Sequence, residues 1–98
     1  RGVELVVLAL PIDVQVSQQE WEKYNVENPI DISHSLVLLE ELVQDTNQIG
    51  AIGVNAGIAL QNASPGAFLF GDIHMNPKGH AAVAASLQEA LSEKSATK

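Results

Sequence analysis

The sequence predicts an α/β chain, a partial three-layer α/β/α sandwich around a small parallel sheet, and three observations carry that prediction. A continuous apolar run rich in β-branched residues, Glu4-Leu5-Val6-Val7-Leu8-Ala9-Leu10, closes at Pro11. That pattern suits a strand buried on both faces beneath covering helices. The hydrophobic period becomes helical between Ser33 and Gln48, and a second short apolar segment, Ala51-Ile52-Gly53-Val54, follows. Strand, helix and strand in this order form a right-handed crossover unit between parallel neighbours.

Each element has its own justification. Asp13 to Pro29 reads as a loop with one short helical turn, and its aromatics, Trp21 and Tyr24, read as packing groups over the sheet end. In the Ser33–Gln48 helix, Leu38, Leu39, Leu42 and Val43 share one face and Glu40, Glu41, Gln44, Asp45 and Gln48 the other. Asp31 or Ser33 suits its start and Gly50 follows its end. Asn55 to Asn62 reads as a short helix, with Ser64-Pro65-Gly66 as the turn after it. Ala67-Phe68-Leu69-Phe70 is either a stub of strand or a buried loop anchor. The clearest helix comes last: Asn76 supplies a capping side chain and Pro77 suits the first helical position. Val83, Leu87, Ala90 and Leu91 form its apolar face, and residues 94–98 read as a frayed polar tail.

Two or three parallel strands with three helices leave at least one hydrophobic sheet edge unpaired, a liability that proteins normally cover. Residues 1–98 are therefore read as a single partial domain, completed by a missing N-terminal segment or by a partner chain. The formal charge of −7, from five basic and twelve acidic residues, argues against nucleic acid and against anionic membrane surfaces. The cations Arg1, Lys23, Lys78, Lys94 and Lys98 are scattered through the sequence rather than clustered. No run is long enough to span a bilayer. The absence of cysteine excludes a thiolate nucleophile and a disulfide framework. It leaves the compartment open between periplasmic or secreted and cytoplasmic, with a lean to a bacterial periplasm.

The segment that carries chemistry is Gly71-Asp72-Ile73-His74-Met75-Asn76-Pro77-Lys78-Gly79-His80. An acid two residues before a histidine, in a loop entering a helix, can set its carboxylate beside one ring nitrogen. The carboxylate then fixes the tautomer and stabilises the imidazolium formed when the other nitrogen takes a proton. A general base that activates a serine hydroxyl needs this arrangement.

Asp72-x-His74-x-Asn76-x-x-Gly79-His80, followed by an alanine-rich helix, resembles the last sequence block of the SGNH hydrolase superfamily. The preceding order of strand ending in proline, amphipathic helix and short strand is similar as well, so the resemblance spans the chain and matches the last half of such a domain. It implies a three-layer α/β/α fold and a serine–histidine–aspartate mechanism of ester hydrolysis or acyl transfer. By that resemblance His74 is the general base, Asp72 is its orienting partner, and no cofactor is needed. The single residue between acid and histidine looks like the form found in some polysaccharide O-acetyltransferases. The substrate implied is a small acyl ester or an acylated carbohydrate.

The family's Gly-Asp-Ser block and its oxyanion-hole glycine and asparagine have no counterpart here. Ser17, Ser33, Ser35, Ser64, Ser86, Ser92 and Ser95 lack that setting, and Gly71-Asp72 is followed by isoleucine. The expectation is that the serine comes from the N-terminal remainder of the same domain or from a second chain, and that this chain alone is inactive.

Other assignments are weaker. A metal site would draw on Asp72, His74 and His80, with Asp13 or His34 added, but no helical His-x-x-x-His pair exists. His34 and His80 read as surface or structural residues and Asn76 as a cap. Gly50, Gly53 and Gly57 have the wrong spacing for a dinucleotide fingerprint. The competing class is a non-catalytic SGNH-like module that docks on a partner through its uncovered sheet edge.

Overall fold

The structure is a computed structural model that describes residues 3–70 and 72–96. Strand β1, Val6–Ala9, pairs in parallel with strand β2, Ile52–Asn55, with Val6 opposite Ile52 and Ala9 opposite Asn55. Helix α1, Asp13–Val16, follows β1 and leads into a 3₁₀ stretch, Gln18–Tyr24. A second 3₁₀ turn, Ser33–Leu36, runs into α2, Val37–Gln48, which makes the crossover to β2. Helix α3, Ala56–Ala63, begins where β2 ends, and α4, Pro77–Ala96, closes the chain. The coarse α/β expectation and the order strand, helix, parallel strand are thus met.

Local chemistry explains where these elements begin and stop. The Asp31 carboxylate accepts from the Ser33 N–H at 2.9 Å, and a one-turn 3₁₀ entry precedes the α-helix proper. Gly50, at φ +88°, turns the chain after α2 into β2, a conformation that costs a residue without Cβ little. The Asn55 side chain accepts from the Gly57 N–H at 2.8 Å and caps α3. Helix α4 starts at Pro77, as its sequence predicts, and continues through Ala96; residues 97 and 98 of the tail lie outside the described residues.

The cover over the sheet is thinner than the apolar run of β1 predicts. Strand β1 spans four residues rather than seven; Val6, Val7 and Leu8 are half-buried, only Ala9 is buried, and Leu5 and Leu10 are exposed. The reason is the size of the sheet: among the described residues each strand has one neighbour, so each keeps an unpaired edge. Helix α2 packs on both strands, with Leu39 and Val43 half-buried, while Leu38 and Leu42 of the same stripe are exposed. Leu38 is 61% exposed. The radius of gyration, 14.9 Å, exceeds the roughly 13 Å of a compact chain of this length.

The close-packed core lies instead at the carboxyl ends of the strands. Val16 of α1, Ala56 and Leu60 of α3, Val83 of α4, and Ala67 and Phe68 of the loop between α3 and α4 form it, with Leu8, Ala63 and Met75 against them. Leu60 is fully buried at its centre. Leu60→Ala is expected to lower unfolding free energy by about 3 kcal/mol, a large share of what a domain this size holds. A urea titration followed by circular dichroism measures it; a loss below about 1 kcal/mol would show that the core does not depend on this side chain.

Candidate active site

The loop that carries Asp72 and His74 is closed at its base by the backbone. Phe68 and Met75 form an antiparallel bridge, the Leu69 N–H donates to the His74 carbonyl at 2.8 Å, and the Asn76 N–H donates to the Ala67 carbonyl at 3.0 Å. Ala67-Phe68 is therefore both things the sequence allows, a one-bridge stub and a buried anchor, whereas Leu69 and Phe70 project into solvent.

Asn76 joins this base to α4. Its Oδ1 accepts from the Gly79 N–H at 3.0 Å, while its Nδ2 donates to the Gly66 carbonyl at 2.7 Å. The cap therefore fixes the helix and the loop together. Gly79 permits their close approach, since a Cβ there would stand 2.2 Å from the Ala67 carbonyl oxygen.

At the far end of the loop, Asp72 Oδ1 accepts from the His74 N–H at 3.1 Å and lies 2.5 Å from His74 Nδ1. The hydrogen bonds from His74 hold the Asp72 carboxyl below its ordinary value of 3.8, so it is ionised at neutral pH. An ionised carboxylate only accepts, so this contact requires a ring proton on Nδ1, and in the neutral ring Nε2 then carries the free lone pair. The His74 side chain is 74% exposed and that of Asp72 48%. Among the described residues no serine hydroxyl hydrogen-bonds the ring. The sequence-predicted pair is thus brought together, while Gly71 lies outside the described residues. His80 and His34 are exposed, and no group of three His, Cys, Asp or Glu side chains among the described residues is placed to hold a metal ion.

A second cluster, absent from the sequence expectations, supports the loop from behind. Asp13, the first residue of α1, has a side chain only 1% exposed. Its Oδ1 accepts from the Val14 N–H at 2.7 Å, and its Oδ2 accepts from the Tyr24 hydroxyl at 2.5 Å and from Lys23 Nζ at 2.7 Å. Lys23, one of the cations scattered through the sequence, has a side chain only 4% exposed. The ammonium also meets Glu20 Oε1 at 2.8 Å, the Leu69 carbonyl at 3.0 Å and the Asp72 carbonyl at 2.5 Å. It stands 5.6 Å from the ring centroids of both Tyr24 and Phe68, within cation–π range. Trp21, packed edge-on against Tyr24, donates Nε1–H to the Ile30 carbonyl at 3.0 Å.

The one signal in the sequence that bears on this cluster is position. Asp13 lies just past the carboxyl end of β1, where ligand sites of open parallel sheets gather.

Comparison of the chain with protein-family models, with curated proteins and with solved structures gives no match.

Burial and the Asp13 hydrogen bond push the Tyr24 hydroxyl up to about 12, from 10.0. Burial pulls the Lys23 ammonium down, but Asp13 and Glu20 outweigh it and hold it above 10.5. Both groups keep their protons more tightly folded than unfolded, so their stabilisation is complete below about pH 10 and is lost as pH rises through the folded values. The urea midpoint is therefore expected to hold up to about pH 9.5 and to fall between about pH 10 and pH 12. Tyr24→Phe should make that fall shallower; a flat profile in the parent chain would remove the cluster from the stability of the fold.

Proposed function

We propose that this chain is the acid–histidine portion of a serine-dependent ester hydrolase or O-acyltransferase of SGNH type. His74 is its general base and Asp72 the partner that orients it. The nucleophilic serine and the oxyanion donors come from outside these residues, either from the remainder of the same domain or from a second chain. The observation that carries the proposal is the 2.5 Å contact between Asp72 Oδ1 and His74 Nδ1, which leaves Nε2 free on a highly exposed ring.

The chemistry follows from that contact. As the serine Oγ bonds to the acyl carbon, its proton passes to Nε2, and the ionised Asp72 stabilises the imidazolium. The proton then goes to the departing alkoxide as the ester C–O bond breaks, leaving an acyl-serine. Water or an acceptor hydroxyl completes the cycle, with His74 acting again as base. A small acyl ester or an acylated carbohydrate suits this scheme, and it calls for no cofactor.

A second reading, a non-catalytic docking module of the same fold, is favoured by one observation. Among the described residues each strand keeps an unpaired edge, and Leu5 and Leu10 at the ends of β1 and Leu38 and Leu42 of α2 are exposed.

A fluorophosphonate probe read by intact mass separates the two. The protein is labelled in its native context, with whatever polypeptide accompanies or extends it. One adduct is expected, on a serine outside residues 1–98. His74→Ala should slow labelling and ester turnover by at least about a thousandfold. An adduct that forms at an unchanged rate in that variant, or no adduct anywhere, would leave the docking module as the better account.

A further inference from the structure

We infer that Lys23 is a positioning residue for the Asp72–His74 pair: by donating to the main-chain carbonyls of Leu69 and Asp72, its buried ammonium fixes the loop on which the two side chains meet. The inference rests on the catalytic reading of that pair. Its physical basis is the asymmetry of the loop. The base is closed by the Phe68–Met75 bridge and by the Leu69–His74 backbone hydrogen bond, but among the described residues the Asp72 end has no such ladder. The Asp72 N–H reaches the Leu69 carbonyl only at 3.4 Å, a long and weak contact.

Among the described residues, Lys23 is the side chain that holds this end, and it does so from 46 and 49 positions away in the sequence. A hydrogen bond of 2.5 Å between Asp72 and His74 tolerates little displacement of either Cα before it is lost. Anchoring the Asp72 carbonyl restricts the Cα that its carboxylate swings from.

The choice of backbone oxygen matters chemically. A cation seated on the Asp72 carboxylate would compete with the imidazole and weaken the base. Lys23 instead spends its charge on Asp13 and Glu20, at 2.7 and 2.8 Å, and touches Asp72 only through its carbonyl. The carboxylate stays available to His74 while its residue is held still. Asp13 in turn is locked by the Tyr24 hydroxyl and the Val14 N–H. The loop is thereby referenced to α1 and to the end of β1 rather than to its own flanks.

The test reads the tautomer of His74, which a role confined to stability would not move. The imidazole-¹⁵N-labelled protein, in its native context with whatever polypeptide accompanies or extends it, is examined by NMR near pH 8.5, above the ordinary histidine value of about 6.5. In the parent chain the Nδ1–H form should dominate, and Asp72→Ala gives the ratio of a ring without its partner. Lys23→Met should lower the ratio of Nδ1–H to Nε2–H by about fivefold, the net worth of one hydrogen bond. Because Lys23→Met strands the buried Asp13 carboxylate, the double variant Asp13→Asn, Lys23→Met is measured beside it and should show the same fall.

A folded variant with the parent ratio overturns the inference. So does failure of both variants to fold by circular dichroism, which would assign Lys23 to the fold as a whole. A parent chain without a dominant Nδ1–H form removes the pair itself and the inference with it. An absent fluorophosphonate adduct, by contrast, bears on the catalytic reading and leaves the tautomer ratio as it was.

Discussion

The arrangement of this molecule hangs on a single desolvated ammonium. Lys23 Nζ has three N–H groups and meets four oxygens within 3.0 Å, supplied by Asp13 of α1, by Glu20 of the 3₁₀ stretch and by the Leu69 and Asp72 carbonyls. Removing such a charge from water is expensive, and only partners with good geometry repay it. Two carboxylates and two carbonyl dipoles provide that geometry, and they do so from α1, the 3₁₀ stretch and the loop that carries Leu69 and Asp72. A hydrophobic side chain in the same place would also fill space. It would not select one register of those segments over another, because apolar contact lacks direction.

The position of this cluster follows from the shape of the core. The sheet is too narrow to organise the chain by itself, and the close-packed side chains gather past the carboxyl ends of the strands, around Leu60 and Phe68. Phe68 belongs to both worlds: it is buried in that core, it bridges to Met75, and its ring stands 5.6 Å from the Lys23 ammonium. The Asp72–His74 loop therefore springs from a base that is fixed twice, by apolar packing below and by the Asn76 cap beside it.

What could be read from the sequence divides along sequence separation. Asp72-x-His74, the Asn76–Pro77 start of α4 and the helical period of α2 rest on partners two to four residues apart, where a spacing rule has little freedom. Parallel pairing of β1 with β2 was legible for a related reason, since a helix between two apolar segments leaves few topologies. The network of Lys23 was not legible, because its carbonyl partners lie 46 and 49 residues away and belong to the backbone, which every residue possesses. Burial of β1 was overestimated for a third reason. An apolar run reports the environment for which a strand is suited, whereas its exposure depends on neighbours: Leu5 and Leu10 face solvent because no further strand or helix of the described residues lies over them.

That last discrepancy bears on the chemistry. A carboxylate–imidazole pair in bulk water gains little from its own attraction, because solvent screens it and competes for both partners. The same pair under low-dielectric cover becomes a strong directional device, since the charge that develops on the ring then has only the carboxylate to answer it. In this chain the pair is well formed at 2.5 Å, yet His74 is 74% exposed, and the loop around it carries exposed Leu69, Phe70 and Ile73. A surface that brings the serine proposed here would exclude water from the same three apolar side chains on arrival. Supply of the nucleophile and activation of its base would then be one event, with Lys23 holding the loop in register until that cover arrives.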